Sequence, residues 1–198
     1  MRYTLLLLLC VSCTGYQSLN QPIVRSEKPV TVSVPPIVGD IDGMLREALI
    51  NEIFSSGSFL YTAGKADYDL TVKIVSNSKD KIGYKYDQKP ITGAIIDRLV
   101  PNEGRRTVEV EANLIDRATK KKVKGPIKVA GFADYDYVNS NSYDNLIVDP
   151  SSGNKQSVLQ YSLGQLGSEE EASNTAQNPA FRTVAKKVTN YLRLALVD

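Results

Sequence analysis

From Val30 onward the chain switches repeatedly between two hydrophobic periods, and the order of those periods restricts the folds open to it. Val30, Val32 and Val34 alternate with Thr31 and Ser33 and stop at Pro35-Pro36, the pattern of a strand with one apolar face. Asp40 is placed to cap a helix, and Ile41, Leu45, Ala48, Leu49 and Ile53 follow at helical spacing until Ser56-Gly57. Alternation returns over Tyr68 to Ser76, with Leu70, Val72 and Ile74 opposed by Asp69, Thr71 and Lys73. It returns again over Thr107 to Ile115, where Val108, Val110, Ala112 and Leu114 oppose Glu109, Glu111 and Asn113. Ile127 to Tyr137 reads as a fourth strand, joined to the third by a lysine-rich hairpin connection, Arg117 to Gly125. Asn178 is expected to cap a last helix with Pro179 at its first position. Phe181, Val184, Ala185, Val188, Tyr191, Leu192 and Ala195 would form its apolar face.

The order is β-α-β-β-β-α. Each strand has one apolar face and each helix one apolar stripe, so the expected fold is α/β in content: an α+β two-layer sandwich with both helices on one face of a four-stranded mixed sheet. A right-handed crossover makes the first two strands parallel, and the next two alternate in direction. Two stretches stand outside this core, at 78–104 and 139–177, and are expected as long loops. Ile91 to Val100 is read as a short helix in the first, and Val158 to Leu163 as another in the second. Ser168 to Asn178 is read as flexible.

Before this single domain, 29–198, lies a segment of another kind. Arg2 precedes an apolar run, Leu5 to about Val11, too short to span a bilayer. The run ends at Cys13 behind Val11 and Ser12, and no later cysteine exists. This resembles a bacterial lipoprotein signal: residues 1–12 would be removed and Cys13 acylated. Thr14 in place of Asp favours, by the same resemblance, sorting to the outer membrane of a Gram-negative cell, on the periplasmic side. Several acyl chains anchor stably at about 0.8 kcal/mol per buried CH2. Residues 13–28 read as a polar tether reaching roughly 45–50 Å if extended. An ordinary secretory leader with incidental cysteines is the alternative.

Composition narrows the chemistry. No histidine is present, which removes Ser-His-Asp and Cys-His catalysis and the commonest metal ligand. With Cys13 acylated, the mature domain has no free thiol and no disulfide, so packing must hold it together. A formal charge of +2 carries no nucleic-acid footprint. Asp134, Asp136, Asp144 and Asp149, with Asn139, Asn141 and Asn145, form an oxygen-rich stretch, but their spacing is not that of an EF-hand. No metal, cofactor or catalytic group is expected.

In order along the chain, Cys13-Thr14-Gly15-Tyr16, the Val30 to Pro35 strand, the Leu45 to Phe54 helix and Ala66-Asp67-Tyr68-Asp69-Leu70 form a series of weak motifs. Val110-Glu111-Ala112-Asn113-Leu114 and the Phe181 to Leu192 helix complete it. This series resembles the LptE family, lipoproteins of lipopolysaccharide assembly. The resemblance implies a non-enzymatic protein that plugs and helps assemble a large outer-membrane barrel, LptD, and contacts lipopolysaccharide on its way to the cell surface. A polar sheet face carrying Thr31, Ser33, Thr71, Lys73, Glu109 and Glu111 suits a polar barrel lumen; a solvated face explains it equally.

Lipopolysaccharide is anionic, and the expected strand directions gather Lys79, Lys81, Lys85, Lys89, Arg98, Arg105, Arg106 and Lys155 at one end of the sheet. Arg105 and Arg106, then Lys85 and Lys155, are the candidate lipopolysaccharide contacts, because guanidinium forks suit phosphate. Solvated loop charges are the competing reading. At the opposite end Lys120, Lys121, Lys122 and Lys124 form a basic turn that could face anionic headgroups or merely discourage edge pairing. The alternative function is an auxiliary lipoprotein of an envelope lipid or solute transporter, with an apolar ligand pocket between sheet and helices. A carboxylate-based envelope hydrolase ranks last.

Overall fold

A computed structural model describes residues 29–164 and 166–197. The leader, Cys13 and the 13–28 tether lie outside the described residues. The elements are β1 (Thr31–Ser33), α1 (Met44–Ser56), β2 (Leu60–Tyr61), β3 (Tyr68–Gln88), β4 (Ile95–Asp116), β5 (Lys122–Asp136), β6 (Leu146–Val148), β7 (Lys155–Ser157) and α2 (Glu169–Val197). Five of the strands form one sheet in the order β2-β1-β3-β4-β5, and β6 pairs with β7 separately. β1 runs parallel to β2 and β3, while β3, β4 and β5 alternate. The mixed sheet under two helices is the expected fold, with one strand more. That strand, Leu60–Tyr61, is too short to show a period.

Both helices lie on one face. Val32, Leu70, Val72, Val108, Val110 and Leu114 from the strands meet Leu45, Leu49 and Ile53 of α1 and Phe181, Val184, Val188 and Leu192 of α2. Complete burial of each large aliphatic or aromatic side chain is worth about 1.5–3 kcal/mol. The inward residues are those picked out by the two periods, because burying one face is what the periods encode. Gly131 lets α2 approach β5: a Cβ there would lie 2.6 Å from the Ala180 carbonyl oxygen. Asp40 does serve the start of α1, accepting the N–H groups of Leu45 (3.2 Å) and Arg46 (2.8 Å) from outside the first turn.

Three expectations are corrected. The 78–104 stretch is no long loop with a helix: β3 and β4 continue through it as paired strands, and only 89–94 turns. Register shifts between Ile74 and Ser76, and on both sides of Gly83, break the alternation that marks a strand. The hairpin also outruns the core, so neither face there needs an unbroken apolar row. The 139–177 stretch is likewise structured, with a 3-10 turn at Tyr143–Asn145, the β6–β7 hairpin and a second 3-10 turn at Val158–Tyr161 where a helix to Leu163 is expected.

Finally, α2 begins at Glu169 rather than Pro179, taking in the segment expected to be flexible, with Pro179 inside the helix. Ser168 explains the start. Its Oγ accepts the Glu171 N–H at 3.3 Å, and Glu169, Glu170 and Glu171 place three negative charges at the positive end of the helix. Proline inside a helix costs about 3 kcal/mol. Burial of Ala176, Ala180, Phe181 and Val184 around it offsets that cost.

Candidate functional site

At about 3.3 Å per residue, the 21-residue β3 measures roughly 70 Å along its contour, so the β3–β4 hairpin projects well beyond the helices. Residues 139–145 fold back over one face of that projection, and Asp87 fastens them. The Asp87 side chain has no exposed surface, and it accepts the Ser142 hydroxyl (2.8 Å), the Tyr143 N–H (3.1 Å), the Asp144 N–H (3.2 Å) and its neighbour Gln88 N–H (3.0 Å). Arg98 reaches it from the opposing strand at 2.5 Å and also donates to the Asn141 carbonyl. Asn139 Nδ2 donates to the Pro101 carbonyl at 2.9 Å, a second tie between segment and hairpin. The Tyr143 ring then lies close to two cations, with Arg98 Cζ at 4.6 Å and Lys155 Nζ at 5.4 Å from its centroid. Lys85 pairs with Asp144 at 2.7 Å.

Of the four residues expected to bind lipopolysaccharide, Lys85 and Lys155 are thus brought together around Tyr143 and Asp144. Arg105 and Arg106 are separated, because successive residues of a strand point to opposite faces. Arg105 lies on the open face, away from the helices. It makes a two-pronged pair with Asp134 (2.6 and 2.8 Å) and stacks 4.2 Å above the Phe132 ring. Arg106 is buried on the helix side. Its Nε, Nη1 and Nη2 donate to Asn77 Oδ1 (2.6 Å), Ser173 Oγ (3.2 Å) and Gln177 Oε1 (2.8 Å). The expectation of an exposed phosphate fork at Arg106 is therefore corrected: this guanidinium ties the early turns of α2 to the sheet. Lys79 and Lys81 act beside it, paired with Glu170 (2.9 Å) and Glu169 (3.8 Å).

The four lysines of the basic turn lie at the other end, where Val30 enters the sheet. Lys120 and Lys121 lie in the turn, Lys122 and Lys124 in the first residues of β5. The turn is shaped by Asp116, whose carboxylate accepts the Thr119 N–H at 2.8 Å. That bond is the main influence holding the Asp116 carboxyl below the ordinary range.

Ser142 and Tyr143 do not stand out in the sequence; Asp87 does so only as one of the acidic neighbours that weaken the basic tip, and Arg98 only as one of its cations. An aspartate in an expected loop looks solvated; only the fold-back of residues 139–145 buries it. Burial by itself would raise the Asp87 pKa. The Ser142 hydroxyl and the three backbone N–H groups outweigh burial and hold the carboxyl at about 2. Burial, with Glu169 adding to it, pushes the Tyr137 phenol up to about 12. Neither group exchanges a proton near neutrality, so the arrangement suits binding and bracing rather than acid–base chemistry.

Among the described residues no three carboxylates gather to hold a metal. Asp134 is spent on Arg105, Asp144 on Lys85, and Asp149 on the Ser151 and Ser152 hydroxyls of its own turn. Buried apolar side chains from both layers meet across the helix–sheet interface. Two surface recesses lie outside it: one of about 330 Å³ between the helices, lined by Met44, Glu47, Asn51 and Arg182 among others, and one of about 440 Å³ where Pro29 enters.

Comparison with curated proteins gives no sequence match. Among solved structures the chain is similar to a candidate lipoprotein of Caulobacter crescentus CB15 (17% identity, 84% of this chain and 90% of that one, TM-score 0.47). It is also similar to a minor lipoprotein of Acinetobacter baumannii (10%, 83% and 92%, 0.45) and to rare lipoprotein B of Shewanella oneidensis (14%, 83% and 98%, 0.40). Likenesses this distant carry no argument of their own. The sequence model of the LptE lipopolysaccharide-assembly family, by contrast, matches residues 28–192, which is nearly the whole described chain. The chain belongs to the LptE lipopolysaccharide-assembly family.

Proposed function

We propose that this protein is acylated at Cys13, sits on the periplasmic side of the outer membrane, and plugs an LptD-like barrel that it helps to assemble and through which lipopolysaccharide is delivered. The observation that carries the reading is the family match over residues 28–192. The geometry agrees with it. The β3–β4 hairpin continues past the start of α2, to which Lys79 and Lys81 are still tied, so its outer part is free to extend into a barrel lumen. The apolar side chains of sheet and helices pack against one another in a single buried cluster, which favours this reading over the transporter-auxiliary alternative with its apolar pocket there. The role is one of binding and support, without catalysis.

Within this reading, Lys85 and Lys155, with Arg98 between them, and Arg105 on the open face are the cations offered to lipopolysaccharide phosphates. Arg106 supports them from inside. Lys120, Lys121, Lys122 and Lys124 lie at the end from which the anchor enters. Near an anionic surface each would contribute roughly 1 kcal/mol.

The test is a mild-detergent pull-down of the acylated protein at native abundance, read by mass spectrometry. A near-stoichiometric large barrel is the expected partner. An inner-membrane transporter in its place would move the reading to the auxiliary lipoprotein.

A further inference from the structure

β5 is the last strand of its sheet. From 127 to 136 it pairs with β4 residue by residue, without a shift. The Tyr137 N–H donates to the Asn102 carbonyl of β4, so odd-numbered residues turn their hydrogen-bonding groups inward and even-numbered ones turn theirs outward. Lys187 marks the outward side, where its Nζ donates to the Ala130 carbonyl at 2.7 Å. Past position 136 that side closes, because the Val138 N–H donates to the Gly167 carbonyl, and at its other end Pro126 has no N–H to offer. Between those stops the outward backbone groups of Lys128, Phe132, Asp134 and Asp136 have no partner among the described residues. Apolar cover stops short at the same place. Ile127, Val129 and Ala133 continue the sheet's apolar face under α2 but are only partly buried. The edge is therefore unfinished both in hydrogen bonds and in packing.

We infer that the outer edge of β5 pairs with an extended, still unpaired strand of the barrel partner before the barrel closes. The inference rests on the proposed plug reading for that partner and supplies the contact by which assembly is helped. The edge itself selects the occupant. A strand that crosses a membrane is about 9–11 residues long, which matches the open span from 127 to 136. Such a strand alternates polar and apolar side chains. Its polar row would run beside Lys128, Asp134 and Asp136 on the open face, and its apolar row beside Ile127, Val129 and Ala133. A closed barrel has no free edge, so this pairing belongs to assembly and leaves the finished lumen to the plug. A second copy does not fit. α2 lies directly on β5, where a Cβ at Gly131 would meet the Ala180 carbonyl oxygen at 2.6 Å. Antiparallel pairing of two copies would set two α2 axes about 5 Å apart, and packed helices need about 8–10 Å. The 13–28 segment carries Pro22 and no alternating apolar row.

The test follows amide exchange in the acylated full-length protein by NMR, with the large barrel recovered in the pull-down added either urea-unfolded and diluted or already refolded. With the unfolded barrel, the N–H groups of Lys128, Ala130, Phe132, Asp134 and Asp136 should gain protection, while the odd-numbered neighbours, already bonded to β4, should not change. The refolded barrel should leave all of them as they were. Phe132→Pro removes one outward N–H without breaking the β4 ladder. It should bind the unfolded barrel roughly fivefold more weakly than Phe132→Ala, the loss of one hydrogen bond. Lys187→Ala frees the Ala130 carbonyl and should strengthen binding. Unchanged exchange at the even-numbered positions overturns the inference, as does a gain without the even–odd pattern. A gain that follows the protein's own concentration, with no barrel present, means a second copy and overturns it too. If the pull-down returns no barrel, the plug reading falls and takes the inference with it. If a barrel is recovered and exchange does not change, the inference alone falls.

Discussion

Removing the Asp87 carboxylate should release residues 139–145 from the hairpin while leaving the helix–sheet core folded. In Asp87→Ala the Ser142 hydroxyl and the Gln88, Tyr143 and Asp144 N–H groups lose their acceptor, and Arg98 loses its counter-charge. Breaking a deeply buried pair typically costs 3–5 kcal/mol. Asp87 is covered, but by a thin ribbon with water close on both sides and with Arg98 partly exposed. Solvent screening therefore favours about 2 kcal/mol. That is roughly a 30-fold loss of hydrogen-exchange protection at Tyr143 and Asp144. Peptides spanning 139–148 should exchange faster, and peptides from β4 and α2 in the core should not change. The pH dependence has a definite sign. The folded pKa, about 2, lies below the ordinary aspartate value of 3.8, so the clasp is fully present above pH 4 and is lost as pH falls from there through 2. Protection corrected for intrinsic rate should be level from pH 7 to 4 and fall below that in the native protein, but stay flat in Asp87→Asn. Unchanged protection at Tyr143 and Asp144 in Asp87→Ala would refute the reasoning, as would global unfolding.

Other perturbations test the remaining supports. Arg106→Ala should destabilise the fold by about 2–3 kcal/mol in urea denaturation, because Asn77, Ser173 and Gln177 lose their partner inside the structure. Arg105→Ala, on the open face, should change the midpoint little. Gly131→Ala should lower the thermal midpoint by forcing α2 away from β5, a cost of about 1–3 kcal/mol. Ser168→Ala should cost about 1 kcal/mol and speed hydrogen exchange over the first turns of α2. Pro179→Ala should stabilise α2, visible as a higher thermal midpoint, since it restores an N–H donor inside the helix.

Alternation at Val30–Val34, Tyr68–Ser76 and Thr107–Ile115 and the helical spacing of Leu45–Ile53 and Phe181–Leu192 determined the sandwich and its core from sequence alone. A residue's face in a regular element depends only on its position modulo the period, so one buried face leaves a trace any reader can count. The missing histidine bounded the chemistry in the same direct way. The start of α2 was also written locally, in Ser168 followed by Glu171, but Pro179 offered a competing start. Tertiary structure alone decided the rest. The outer hairpin has bulges beside Gly83 and no continuous buried face, so its strands leave no period to read; they are specified by pairing between β3 and β4. Arg105 and Arg106 look alike as neighbours, and only the pleat sends one to the open face and the other under α2. Asp87 becomes a clasp only because a segment more than fifty residues later folds across it. Such long-range contacts depend on which distant groups arrive together, and no local spacing encodes them.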